Sequence, residues 1–229
     1  MSVPMKRSLG MAVLAWLLSA TACTGPDQPA PSTDDGHMVI ANVHKTTAAF
    51  PAGWKVVKNP TTTVTAEMVK QSKVPHQGLQ VRPESCAARL DVNPAGVVGQ
   101  VVESFTAKSP EGVIITVSAA KLPDGPPPPP DGLDCRYATF SAPGKANGII
   151  TPAELPDMPG VKMRGAHVVT NYEDGTDRVA DQYSYIGAAD TKHQVTVAVF
   201  AGPAAANLPK IDTEMTRKVF ANAVQNVKG

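Results

Sequence analysis

The tightest constraint on the fold is a set of segments whose apolar residues alternate at period two. In 98–107, Val98, Gln100 and Val102 fall on one face and Val101, Glu103 and Phe105 on the other. In 112–120, Val113, Ile115 and Val117 stand opposite Ile114, Thr116 and Ser118. Successive side chains of a strand point to opposite sides, so this spacing predicts β-structure. Ser109-Pro110-Glu111-Gly112 between them is a turn signal and makes the two a hairpin. Both faces are apolar enough to predict a central place in a sheet.

A second antiparallel unit follows. Segments 165–173 and 178–186 flank Asp174-Gly175, a dipeptide that tolerates the positive φ of a tight turn. Segment 193–201, after the turn residues Gly187-Ala188-Ala189-Asp190, directs Val195, Val197 and Val199 to the core. Segments 53–57 and 136–140 are candidate edge strands. In 211–227, Met215, Val219, Phe220, Ala223, Val224 and Val227 recur at helical spacing behind Asp212, a candidate N-cap. Shorter helices are predicted at 83–90 and 65–72. The expectation is a single α+β domain over 37–229, with an antiparallel sheet of five or more strands packed against a C-terminal helix and short helices.

The first 22 residues obey a different logic. Lys6 and Arg7 precede an apolar stretch from Leu9 to Leu18 and then small residues, the three-part form of a secretory signal. The stretch is shorter than the ~20 residues a membrane-crossing helix needs. Ser19-Ala20-Thr21-Ala22-Cys23 looks like a bacterial lipobox, in which the Cys23 sulfur receives a diacylglycerol and becomes the mature N-terminus. Plain secretion with an unmodified Cys23 is the competing reading. Loss of the signal removes two cations and no acid, so the formal charge passes from +1 to −1. No run of basic residues is left to hold phosphate backbones, which argues against a nucleic-acid partner, or to hold an anionic membrane surface without acyl chains. Residues 23–36 carry prolines and no aliphatic side chain larger than Ala, the composition of a flexible tether.

Candidate chemistry in the remainder is sparse. Export places Cys86 and Cys135 in an oxidising compartment, and a disulfide between them would close a loop of about 50 residues. A catalytic thiol would need a partnering His and a zinc site three or four clustered ligands, whereas neither C-x-x-C nor H-x-x-x-H spacing occurs. His37, His44, His76, His167 and His193 are not at ligand spacing. Asn171, Glu173, Asp174, Asp177 and Asp181 form the densest acidic group, without the calcium-loop pattern; a solvated turn is the simpler reading. No G-x-S-x-G, phosphate-cradling glycine loop or H-E-x-x-H is present. Pro126 to Pro130, between two Asp-Gly turns, would span about 15 Å as polyproline II. It reads as a stiff spacer, with a recognition strip for an aromatic groove as the alternative.

Phe50-Pro51-Ala52-Gly53-Trp54-Lys55-Val56, Glu84-Ser85-Cys86, Cys135-Arg136-Tyr137 and Val195-Thr196-Val197, behind the signal and tether, resemble mycobacterial envelope lipoproteins of uncharacterised function. More distantly the chain is similar to the extracellular sensor domains of mycobacterial Ser/Thr kinases, which implies a central antiparallel sheet and a groove. The expectation is a non-enzymatic domain without cofactor or metal. It would be held on the outer face of the cell membrane through Cys23, and would bind or sense a small apolar ligand between helix and sheet, or an envelope protein. An envelope hydrolase and a structural partner of an envelope complex are the alternatives.

Overall fold

The computed structural model describes residues 38–72, 78–89, 97–125, 137–173, 175, 177–204 and 207–229. The signal at 1–22, the tether with Cys23, His37, His76, the Pro126 to Pro130 run, Cys135 and Asp174 lie outside them. Ten strands form one antiparallel sheet: β1 (Lys55–Lys58), β2 (Thr62–Thr63), β3 (Gln80–Arg82), β4 (Val101–Lys108), β5 (Ile114–Lys121), β6 (Ala138–Ala142), β7 (Ala146–Pro152), β8 (Lys162–Tyr172), β9 (Val179–Ala188) and β10 (His193–Ala204). Their order is β1-β4-β5-β10-β9-β8-β7-β6-β3, with β2 also on β4. The helices are α1 (Ala66–Ser72), α2 (Thr213–Lys228) and two 3₁₀ helices, η1 (Ile40–Ala49) and η2 (Glu84–Arg89). The fold is therefore mostly sheet, with α2 its one long α-helix among the described residues.

The alternating segments form strands as their patterns require. Val195, Val197 and Val199 are fully buried, and β5 sits between β4 and β10. The β4–β5 turn closes through Ser109, whose backbone N–H donates to Val113 O and whose side chain accepts from Val113 N, while Gly112 supplies φ 100°. Asp212 caps α2, its carboxylate accepting from Met215 N at 2.9 Å.

Several boundaries differ from expectation. Segment 136–140 is not an edge: β6 lies between β7 and β3, and the three-residue β3 takes the edge. Val98 and Gly99 form a turn ahead of β4, which begins at Val101. The β8–β9 connection is wider than a two-residue turn, because the bond from Tyr172 N to Arg178 O precedes it. The β9–β10 turn falls two residues late, since Ala189 N–H already bonds His193 O across it. Within the predicted helix at 83–90, Glu84–Arg89 winds as a 3₁₀ helix.

The sheet buries its two ends on opposite faces. Residues directly opposite on neighbouring strands share a face. Tyr185 pairs with Val197, which pairs with Val117, which pairs with Phe105, and all four are buried beneath α2 and η1. At the other end Val168 pairs with Ile150 and Ile150 with Ala138. These lie one residue out of phase with the Tyr185 row, and pack with Val81, Phe140, Ala166 and Cys86 of η2 in a second core. The face beneath α2 is consequently not filled by this second core where it continues across β8, β7, β6 and β3.

Candidate functional site

Each histidine among the described residues stands beside a carboxylate. His44 Nε2 lies 2.9 Å from Glu103 Oε2, and Thr61 Oγ1 donates to the other oxygen of Glu103. The second ring nitrogen of His44 is buried without a hydrogen-bond partner. This cluster joins η1 to β4. His193 Nδ1 lies 2.8 Å from Asp190 Oδ2, and the backbone N–H groups of Lys192 and His193 bond Asp190 Oδ1, forming the β9–β10 turn. Burial works against the Asp190 charge, but the His193 side chain and those two N–H groups outweigh it and hold the carboxyl below its ordinary value.

The third pair is on the α2 face. His167 Nε2 meets Asp181 Oδ1 at 2.6 Å, and its ring stacks on Tyr183 with centroids 4.1 Å apart and 7° between planes. His167 and Tyr183 are register partners, so β8 and β9 impose the stack. Burial, and then the Asp181 charge, raise the Tyr183 hydroxyl above its usual value. Deeper under α2, burial pushes Tyr185 up to about 12, assisted by Tyr183 and Glu154 and opposed by Arg217.

From that pair the same face runs outward as two registered rows. Ala201, Asp181, Val169, Ile149, Thr139 and Arg82 form one, and Asn171, Asn147, Ser141 and Gln80 the other. Ala201 is fully buried under α2, whereas Thr139 and Arg82 are exposed. Here the sheet holds an open groove of about 340 Å³ lined by Gln80, Arg82, Thr139, Ser141, Asn147, Ile149 and Asn171 with parts of Phe140 and Gly148. It presents one cation, three amides and two hydroxyls around Ile149. Two of the amides are oriented: Asn171 Nδ2 donates to Asn147 Oδ1 at 3.4 Å, and Asn147 Nδ2 donates to Glu173 Oε1 at 2.7 Å. Glu173 is held by a further bond from Gly144 N. Such a set can recognise a polar molecule by hydrogen bonding; among the described lining residues no nucleophile is paired with a base.

The positions singled out from sequence map differently. The α2–sheet interface, where a small apolar ligand was expected, is filled by Val219, Phe220, Ala223, Val224 and Val227 against Tyr185 and the β10 valines. Cys86 is buried and disulfide-bonded; Cys135, its expected partner, lies outside the described residues. Of the acidic group, Asp181 belongs to His167 and Glu173 to Asn147 and Gly144, and no three His, Cys, Asp or Glu side chains gather at metal-binding distance among the described residues. Of the groove residues the sequence singles out Asn171, in the acidic group, and Thr139 and Phe140, in a candidate edge strand, but none as a binding residue. Their one signal is the alternation of Ala138, Phe140 and Ala142 with Thr139 and Ser141.

The architecture defines a class: a broad antiparallel sheet with a C-terminal helix across one end of one face. Residues 39–228 match the family described as a domain of unknown function, DUF5642, and the chain belongs to that family. Its fold is similar to the X-ray structure of an uncharacterised protein, the Rv0999 ortholog, from Mycobacterium smegmatis. The TM-score is 0.68 and the identity 21%, over 85% of this chain and 99% of that one. No curated protein matches it. Both matches fit a mycobacterial family of uncharacterised function.

Proposed function

We propose that this protein is an exported, lipid-anchored and non-enzymatic domain that binds or senses a small molecule or envelope component in the groove of β3, β6, β7 and β8. The observation that carries the reading is the groove itself: an open set of amides and hydroxyls beside Arg82, with Asn147 and Asn171 oriented by hydrogen bonds, on a face that α2 covers only at its other end. Side chains that served folding alone would more simply be covered or replaced by solvated charge. The ligand is polar, because the lining is polar and the helix–sheet interface is filled. Cys23 behind the signal at 1–22 supplies the anchor, and residues 23–36 the reach.

Two measurements test this reading. In a mycobacterial host the chain is expected in the membrane fraction and Cys23→Ser in the soluble fraction, without the mass of the acyl groups. Titration of the Cys23→Ser chain with soluble envelope fragments, followed by amide NMR, is expected to shift Thr139, Ser141, Asn147 and Asn171 before residues of α2. Shifts confined to α2 or η1 would place the ligand elsewhere.

A further inference from the structure

We infer that the groove takes a sugar acid, a polyhydroxylated ring carrying one carboxylate, with Arg82 receiving the carboxylate and the amides and hydroxyls receiving the ring. The inference rests on the groove being the binding site and adds what it selects. Arg82 stands on the edge strand β3 opposite Thr139, lines the groove, and forms no ion pair with any described residue. An arginine presents a planar fork of donors that matches a carboxylate in two parallel bonds. A cation with no acidic partner among the described residues, placed in a concavity, is complementary to an anionic ligand.

The remaining lining supplies neutral groups. Gln80, Asn147 and Asn171 offer both donors and acceptors, and Thr139 and Ser141 offer hydroxyls. Vicinal hydroxyls of a sugar, each donor and acceptor at once, use such a set fully, and Ile149 gives the ring an apolar surface. The number of charges is also limited. Glu173 is held at the amide end of the row by Asn147 Nδ2 and Gly144 N, so a negative charge already borders the site. With Arg82 as the one lining cation among the described residues, a single carboxylate pairs with it one to one, whereas a phosphate dianion would bring a second, uncompensated charge near Glu173.

The test uses the mature Cys23→Ser chain and three sugars that differ in charge: glucuronic acid, glucose and glucose 6-phosphate. Amide NMR follows Thr139, Ser141, Asn147 and Asn171. Glucuronic acid is expected to bind at least about tenfold more tightly than either of the others, the difference expected of one charge-assisted pair. Arg82→Gln is expected to erase that preference, and Asn171→Ala to weaken glucuronic acid and glucose alike while keeping it. Unchanged amide positions outside the groove show that each variant folds. Equal binding of glucuronic acid and glucose, or a preference that survives Arg82→Gln, overturns the carboxylate assignment while the groove reading stands. Tighter binding of glucose 6-phosphate assigns a phosphate and overturns it too. Silence with all three overturns the sugar acid, and the groove reading falls with it only if the envelope-fragment titration is also silent.

Discussion

Asp190 illustrates how one side chain sets both a turn and a pH response. Its carboxylate accepts two backbone N–H groups and the His193 ring, which fixes the register at which β10 leaves β9. Because these partners depress its pKa in the folded chain, the associated stability is present above the ordinary aspartate value near 3.9 and is lost as the pH falls through the folded value. Asp190→Asn is expected to flatten the acid limb of a plot of urea midpoint against pH. At neutral pH it should cost about 1 kcal/mol, modest because the site is partly open to solvent. An acid limb as steep as that of the parent would contradict this role. The spacing of Asp190 and His193 is visible in the sequence, but the sequence reading put the turn two residues early. By contrast, His44 finds Glu103 only where η1 packs on β4, and His167 finds Asp181 only through the pairing of β8 with β9.

At the scale of elements, a strand is legible where β-branched apolar residues recur at period two between turn signals. β5 and β10 meet that condition, and α2 meets its helical counterpart with a cap in Asp212. η1 was not legible, because its period is three. Ile40, Val43, Thr46 and Ala49 eclipse on one side of a 3₁₀ helix, and Thr46 accepts a bond from Asn226 of α2. β7 was hidden as well, since Gly148, Ile149 and Ile150 give it no clean alternation. The contact of α2 with the sheet depends on a missing side chain at Gly187. A Cβ there would lie 2.8 Å from Phe220 Cζ and 3.4 Å from Val161 Cγ1. Gly187→Val should therefore cost about 2 kcal/mol through overpacking, read as a lower urea midpoint at unchanged slope. A midpoint equal to that of the parent would mean Phe220 moves aside freely.

For the molecule as a whole, two cores on opposite faces make two ends of unequal strength. The α2 end contains Phe105, Tyr185, Phe220 and the valines; the other has seven buried residues among those described, including Cys86. We propose that Cys86 pairs with Cys135, a closure that chain-entropy reasoning values at roughly 4 kcal/mol at most. Peptide mapping without reductant should recover a Cys86–Cys135 peptide. Reduction should then accelerate amide exchange in β3 and β6 well before β10 or α2. Uniform acceleration would mean that the two ends unfold as one, and a Cys23–Cys86 peptide would refute the pairing.

By itself the sequence determined the antiparallel strands, the C-terminal helix and its cap, and the grounds for expecting export and an anchor at Cys23. These are local properties, because side-chain alternation, helical spacing and a signal are each read from neighbours in the chain. The tertiary structure alone decided the strand order, which half of the sheet buries which face, and the meeting of Arg82 with Asn147 and Asn171. The reason is geometric. Parity tells which residues of one strand share a side, but only the register between strands tells which sides become one surface, and here that register leaves a polar groove where the helix does not reach.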